Sequence, residues 1–429
     1  MRNTNLMMLA FVLLVAWGCK KDDEPVTTGV LSGTITDADT DAALDGVRII
    51  VMESNTNAPV KSLTTGADGA YKTELSGGSY YLKLYRQGYD QVPPKGMSPL
   101  PFTVSVGTDV AKPYEMNPSA VQNGGYVKGK VTEAGTGVAG VLVVAEKDGQ
   151  GYSAVTDAAG DYYIYNLPAG SYALKGWISG YSSEQPTVSV TTSAESTQNL
   201  QLSRGAAGSV SGTVTFLASN AREVDITLTH PLTKEAIPGL LTSSSQNYSI
   251  ANVPAGTYIA RASYQNDERV VDPDWIVKNG EPVVNVDGGA VSLDFSLTGS
   301  VRLTTPTNLA TTTEPIEVAS ATPRFTWAAY SSTSDYVLEV SDANGNVIWG
   351  GFGIGTIANG TTGPVKKVIV PSGQTSADYN FDGSALRALE PGKVYRWKVY
   401  ASKDDNKENT GWKLISVSED QMGLIRLAE

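Results

Sequence analysis

The sequence predicts an all-β chain built as tandem β-sandwich domains. Three observations carry that prediction. Short runs of alternating apolar and polar residues are punctuated by Gly, Asp and Asn turns. One set of spaced glycines and tyrosines recurs three times between residues 28 and 300. Long stretches of strong helix formers are missing. At 429 residues the chain suits about three to five domains, and a hydrophobic content of 41% is enough for packed cores. The net charge of -12, with no Lys/Arg-rich block, excludes nucleic acid as a partner, because phosphates would be repelled.

The N-terminus comes first. Arg2 precedes an apolar core, Leu6 to Val15, which is too short to cross a bilayer core of ~30 Å as a helix. The run ends Ala16-Trp17-Gly18-Cys19, and Cys19 is the sole cysteine of the chain, so no disulfide can form. This segment resembles a bacterial lipobox. The resemblance implies that residues 1–18 are a lipoprotein signal peptide and that Cys19 is diacylated, becoming a membrane anchor; two or three acyl chains hold stably where one would not. Residues 19–27, with Lys20-Lys21-Asp22-Asp23-Glu24-Pro25, read as a solvated tether. They are similar to the export signal of Bacteroidota-type surface lipoproteins, which implies an outer-membrane, surface-exposed location.

Next come the repeats. The opening strands begin at Gly29, Gly125 and Gly208 and carry a second glycine at Gly33, Gly129 and Gly212. A turn then leads into Tyr71, Tyr162 and Tyr248, followed by Gly78-Ser79-Tyr80, Gly170-Ser171-Tyr172 and Gly256-Thr257-Tyr258. The first two copies add Gly88-Tyr89 and Gly180-Tyr181, where the third has Gln265-Asn266. The period is a whole domain. Antiparallel hairpins of this kind close into a small sandwich, with Tyr71, Tyr162 and Tyr248 expected as equivalent core residues. The pattern resembles the carboxypeptidase regulatory-like domain, a prealbumin-like sandwich, and implies domains at 28–118, 119–204 and 205–300. That family's name refers to a neighbour of a peptidase and implies no catalytic residues here.

From residue 301 to 429 the pattern changes. Trp327 and the stretch Leu389-Glu390-Pro391-Gly392 to Tyr395-Arg396-Trp397 resemble a fibronectin type III domain. The resemblance casts Trp327 as a core tryptophan and Tyr395 as a tyrosine whose hydroxyl bonds to nearby backbone. Gly350 to Gly363 reads as a long insertion.

A search for chemistry finds little. One histidine and one cysteine cannot furnish a His/Cys zinc site, so no metal and no cofactor is expected. His230 has no Gly-x-Ser-x-Gly elbow to serve and is expected as a surface or turn residue. The acidic run Asp37 to Asp45 fails the EF-hand pattern at Ala42 and Arg48 and reads as a polar turn, with calcium binding by its four carboxylates as the alternative. No residue is assigned a catalytic role, and the chain is expected not to be an enzyme.

Aromatic residues give the stronger lead. Period two places Tyr162, Ile164, Tyr172 and Leu174 inward, and Tyr163, Tyr165, Lys175 and Trp177 together on an outer face of adjacent strands. That face would stack a glycan or dock a surface protein, the alternative being burial against a neighbouring domain. The expected function is a non-catalytic surface binding module on a rod of sandwiches, with a structural spacer that has no ligand as the alternative.

Overall fold

A computed structural model describes residues 27–121, 123–205, 208–217, 221–263, 269–271, 283–351, 354–356, 362–364, 366–403, 413–419 and 421–429. Cys19 and the tether before residue 27 lie outside the described residues. Every regular element among them is a strand, and the chain is a series of β-sandwiches.

The first three units share one topology. In the first, strand Thr28–Asp37 pairs antiparallel with Ala70–Ser76 and parallel with Asp109–Ala111 and Tyr114–Met116. The facing sheet runs Ala58–Thr64, Arg48–Glu53, Gly78–Tyr85, Phe102–Val104. The second unit repeats this on Gly125–Glu133 and on Leu142–Lys147 with Gly170–Trp177; the third repeats it on Gly208–Phe216 and on Val224–Thr229 with Gly256–Ser263.

The recurring glycine and tyrosine are one device. Gly33, Gly129 and Gly212 stand opposite Tyr71, Tyr162 and Tyr248 in the strand register. Those tyrosines are 5%, 0% and 5% exposed. Each hydroxyl donates to a backbone carbonyl of the returning chain: Lys112, Gln198 and Leu293. The same carbonyls crowd the glycines, since a Cβ would stand 2.2, 1.8 and 2.1 Å from them. Glycine is required because the carbonyl must come close enough to accept the phenol. Tyr80, Tyr172 and Tyr258 form a second staple, each donating to the carbonyl four residues earlier.

The fourth unit sets a small sheet of Leu303–Thr305, Arg324–Trp327 and Ser376–Asp378 against a larger one centred on Asp335–Asp342 and Val394–Lys403. Phe325 stacks on Trp397 with ring centroids 4.7 Å apart, and Trp327 meets Tyr336 edge-on. The Tyr395 hydroxyl accepts the Glu390 N–H at 2.8 Å, and burial pushes its phenol up to about 12. Parts of the Gly350–Gly363 segment lie outside the described residues.

The units do not string out as a rod; they interlock. Gly88 N–H donates to the Asn166 side chain, whose amide returns a bond to Tyr89 O. One unit further on, Gly180 N–H donates to Asn252 O. Gly88 and Gly180 are equivalent positions, and so are Asn166 and Asn252, each four residues after its core tyrosine and each in the left-handed region. The corner of one unit therefore docks on the same bulge of the next. The first copy carries Leu75 at that position. The segment Arg86 to Pro101 of the first unit reaches the others: Arg261 of the third unit bonds Ser98, Arg396 of the fourth bonds Gly96 O, and Met97 packs with Ala343, Val394 and Leu424.

Candidate functional site

The four residues expected to share one face are split between two sheets. Tyr163 and Tyr165 lie on Asp161–Leu167, which pairs with Gly125–Glu133. Lys175 and Trp177 lie on Gly170–Trp177, which pairs with Leu142–Lys147 in the opposite sheet. The strands joined by the Pro168–Gly170 turn cross from one layer of the sandwich to the other, so a single aromatic platform is ruled out. Tyr163 and Tyr165 are half-buried and stacked at 6.1 Å, with the Arg48 guanidinium of the first unit 4.6 Å over Tyr163. Arg48 also pairs with Asp157 at 2.5 Å.

Trp177 is 5% exposed, buried where the expectation had it accessible. Its ring meets Tyr258 and His230 edge-on, with centroids at 5.6 and 5.2 Å, and Lys175 Nζ lies 4.0 Å above it. Lys175 donates to Ala255 O of the third unit, and burial lowers its pKa. Both outer faces of the second unit thus serve as contacts, one toward the first unit and one toward the third.

His230 occupies a turn, as expected, but it is 1% exposed and not a surface residue. Its Nδ1 accepts the backbone N–H groups of Leu232 and Thr233, leaving Nε2 to carry the proton and donate to Glu146 at 3.1 Å. Burial lowers its pKa in spite of Glu146. In the acidic run, Asp37 caps its own turn by accepting from Asp39 and Thr40 N–H, and it takes the Tyr89 hydroxyl at 2.6 Å. Burial raises the Asp37 carboxyl, but these bonds outweigh it and hold the pKa below the ordinary value. Asp39 pairs with Arg426 of the last strand. These acids are used as structural partners.

Polar groups that sequence reasoning missed converge where the first and third units meet. Lys83, on the outer face of Gly78–Tyr85, pairs with Glu235, which also takes a bond from Gln91 at 2.8 Å. Burial works to raise the Glu235 carboxyl; Lys83 and Gln91 outweigh it and hold it below the ordinary value. Beside this pair opens a cleft of about 530 Å³, walled by the turn at Ser54–Asn57, the Pro93–Pro101 segment and the third unit from Asp225 to Ser243. At the inner end of that segment, burial raises the Asp90 carboxyl to about 7 and lowers the Lys95 ammonium to about 8.

Residues 126–203 match the carboxypeptidase regulatory-like domain family. That span is the second unit, whose glycine–tyrosine device is described above; the first and third units share its topology. No curated protein matches the chain. Among solved structures, the chain is similar to the Bacillus anthracis TIE protein at 16% identity, covering 63% of this chain and 51% of that one, with a TM-score of 0.18. It thus spans about half the length of that protein. It is also similar to BcpA, the major pilin subunit of Bacillus cereus, at 12% identity over 64% of this chain and 100% of that one, TM-score 0.19. The shaft pilin SpaA from Lactobacillus rhamnosus GG aligns at 10% identity over 42% and 98%, TM-score 0.19.

Proposed function

We propose that the chain is a non-catalytic, lipid-anchored surface module that binds a glycan or a protein partner. The observation that supports a binding role over a passive spacer is the folding back of the third unit onto the first. A spacer needs only end-to-end contacts, whereas this arrangement commits the buried Lys83–Glu235 pair to hold a recessed polar cleft between two units. Burying such a pair gains little net stability over apolar packing. Clefts between packed units are the usual place for a small ligand.

The anchor is tested on cells. Labelled palmitate should enter the wild-type protein and not Cys19→Ser, and protease added to intact cells should remove the wild-type protein. Label in the mutant would sink the lipidation, and full protease resistance of a folded, anchored protein would sink surface exposure.

A further inference from the structure

Resting on the surface-module reading, we infer that the cleft between the first and third units is a binding site for a neutral oligosaccharide. At about 530 Å³ it lies within the roughly 300–1,000 Å³ range of small-ligand sites.

The chemistry of its walls narrows the ligand. The charged groups around it are already engaged. Lys83 is bound to Glu235, Arg261 NH2 donates to Ser98 at 2.5 Å, and Asp225 accepts the Ser243 hydroxyl at 2.6 Å. An anion or a cation entering here would compete with these bonds for its partner. What remains available is neutral. Asn55 and Thr227 line it with exposed and half-exposed neutral side chains, and the Gln421 amide oxygen at the cleft's edge is buried with no partner among the described residues. A buried unpaired acceptor carries a cost that a ligand donor would relieve. Amides and hydroxyls offer donors and acceptors together, which is what the hydroxyls of a sugar require.

The opposite wall is apolar. Pro94, Pro99 and Pro101 line the cleft from the crossing segment and present C–H surface to a sugar ring. Proline rings also hold that wall without losing backbone freedom on binding. The segment is tied at both ends, through Gln91 to Glu235 and through Ser98 to Arg261, so the two walls are fixed relative to each other.

Isothermal titration of the protein with cellotriose, maltotriose, xylotriose and mannotriose, with trigalacturonate as the acidic control, tests the assignment. At least one neutral trisaccharide should bind with a Kd of roughly micromolar to millimolar. Thr227→Trp, which fills the cleft from a half-exposed position, should weaken it at least tenfold, and Asn55→Ala should weaken it several-fold. Both variants should keep the wild-type melting temperature. Binding of trigalacturonate alone, binding untouched by both folded variants, or no binding by any probe would each overturn the cleft assignment. Should Thr227→Trp prove unfolded, Asn55→Ala, at an exposed turn residue, decides. Palmitate labelling and protease access on cells report the surface-module reading separately, so either can fail while the other stands.

Discussion

Truncating Trp177 separates a ligand platform from a domain interface, because the two assign the ring opposite environments. Its indole is nearly fully buried among Tyr258, His230 and Lys175, and its far edge would stand 2.5 Å from a Cβ placed on Gly256. Large aromatic to alanine changes in cores cost about 3–5 kcal/mol. The two edge-on ring pairs, at about 0.5–1.5 kcal/mol each, are part of that cost and do not add to it in full. One term acts the other way. The indole N–H is buried with no partner among the described residues, which costs about 1–3 kcal/mol in the wild-type protein. Trp177→Phe sheds that donor while keeping most of the ring, so it should cost under about 2 kcal/mol, against at least ~3 for Trp177→Ala. Several units need not melt together, so calorimetry should be paired with hydrogen exchange. Exchange should quicken in Gly170–Trp177 and Gly256–Ser263 of the alanine variant and stay near wild type in Thr28–Asp37. An alanine variant with unchanged melting and exchange would refute the buried interface.

Two further substitutions follow from the same contacts. Gly129→Ala puts a methyl where the Gln198 carbonyl stands; it should destabilise the second unit by several kcal/mol, about as much as a core truncation, whereas Tyr162→Phe should cost only about 1 kcal/mol, the worth of one hydrogen bond. Equal melting temperatures for these two variants, measured by calorimetry, would contradict the device. For His230 the folded pKa is lowered, so the unfolded chain binds more protons below its ordinary pKa of 6.5 and stability falls as pH drops through that region. His230→Gln should flatten that slope, and an unchanged acid-side slope in urea titrations from pH 7 to 5 would count against the buried neutral imidazole.

Much of the fold is legible in the sequence, because glycine and tyrosine anchors report local geometry. Gly129 facing Tyr162 needs only strand register and a returning carbonyl. The aromatic face expected from period two is covered in the structure, for a physical reason. Period two tells which residues leave a unit's own core, not whether solvent or another unit waits outside. A signal was available in the unbroken apolar runs. Ile49-Ile50-Val51-Met52 and Val141-Leu142-Val143-Val144 bury both faces, the mark of a sheet covered on each side. Tyr85 occupies the position of Trp177 in the first copy and is likewise buried, while the third copy has Ser263 there. Aligned copy against copy, these positions trace the docking edge. The cleft has no such trace, since Glu235 lies 152 residues beyond Lys83 and 144 beyond Gln91 and meets them only when the third unit folds back.

The crossing segment Arg86–Pro101 also sets an order of events. Its partners Arg261 and Arg396 lie well over a hundred residues downstream, and Asp39 waits for Arg426 in the last strand. Each sandwich can close on its own local hairpins, but these bonds close loops of hundreds of residues and come late, at an entropic cost that grows with loop length. During N-to-C synthesis the first unit therefore emerges with its proline-rich segment still exposed. The cleft closes once the third sandwich has folded back, and the fourth then fastens the far side of the crossing segment through Arg396.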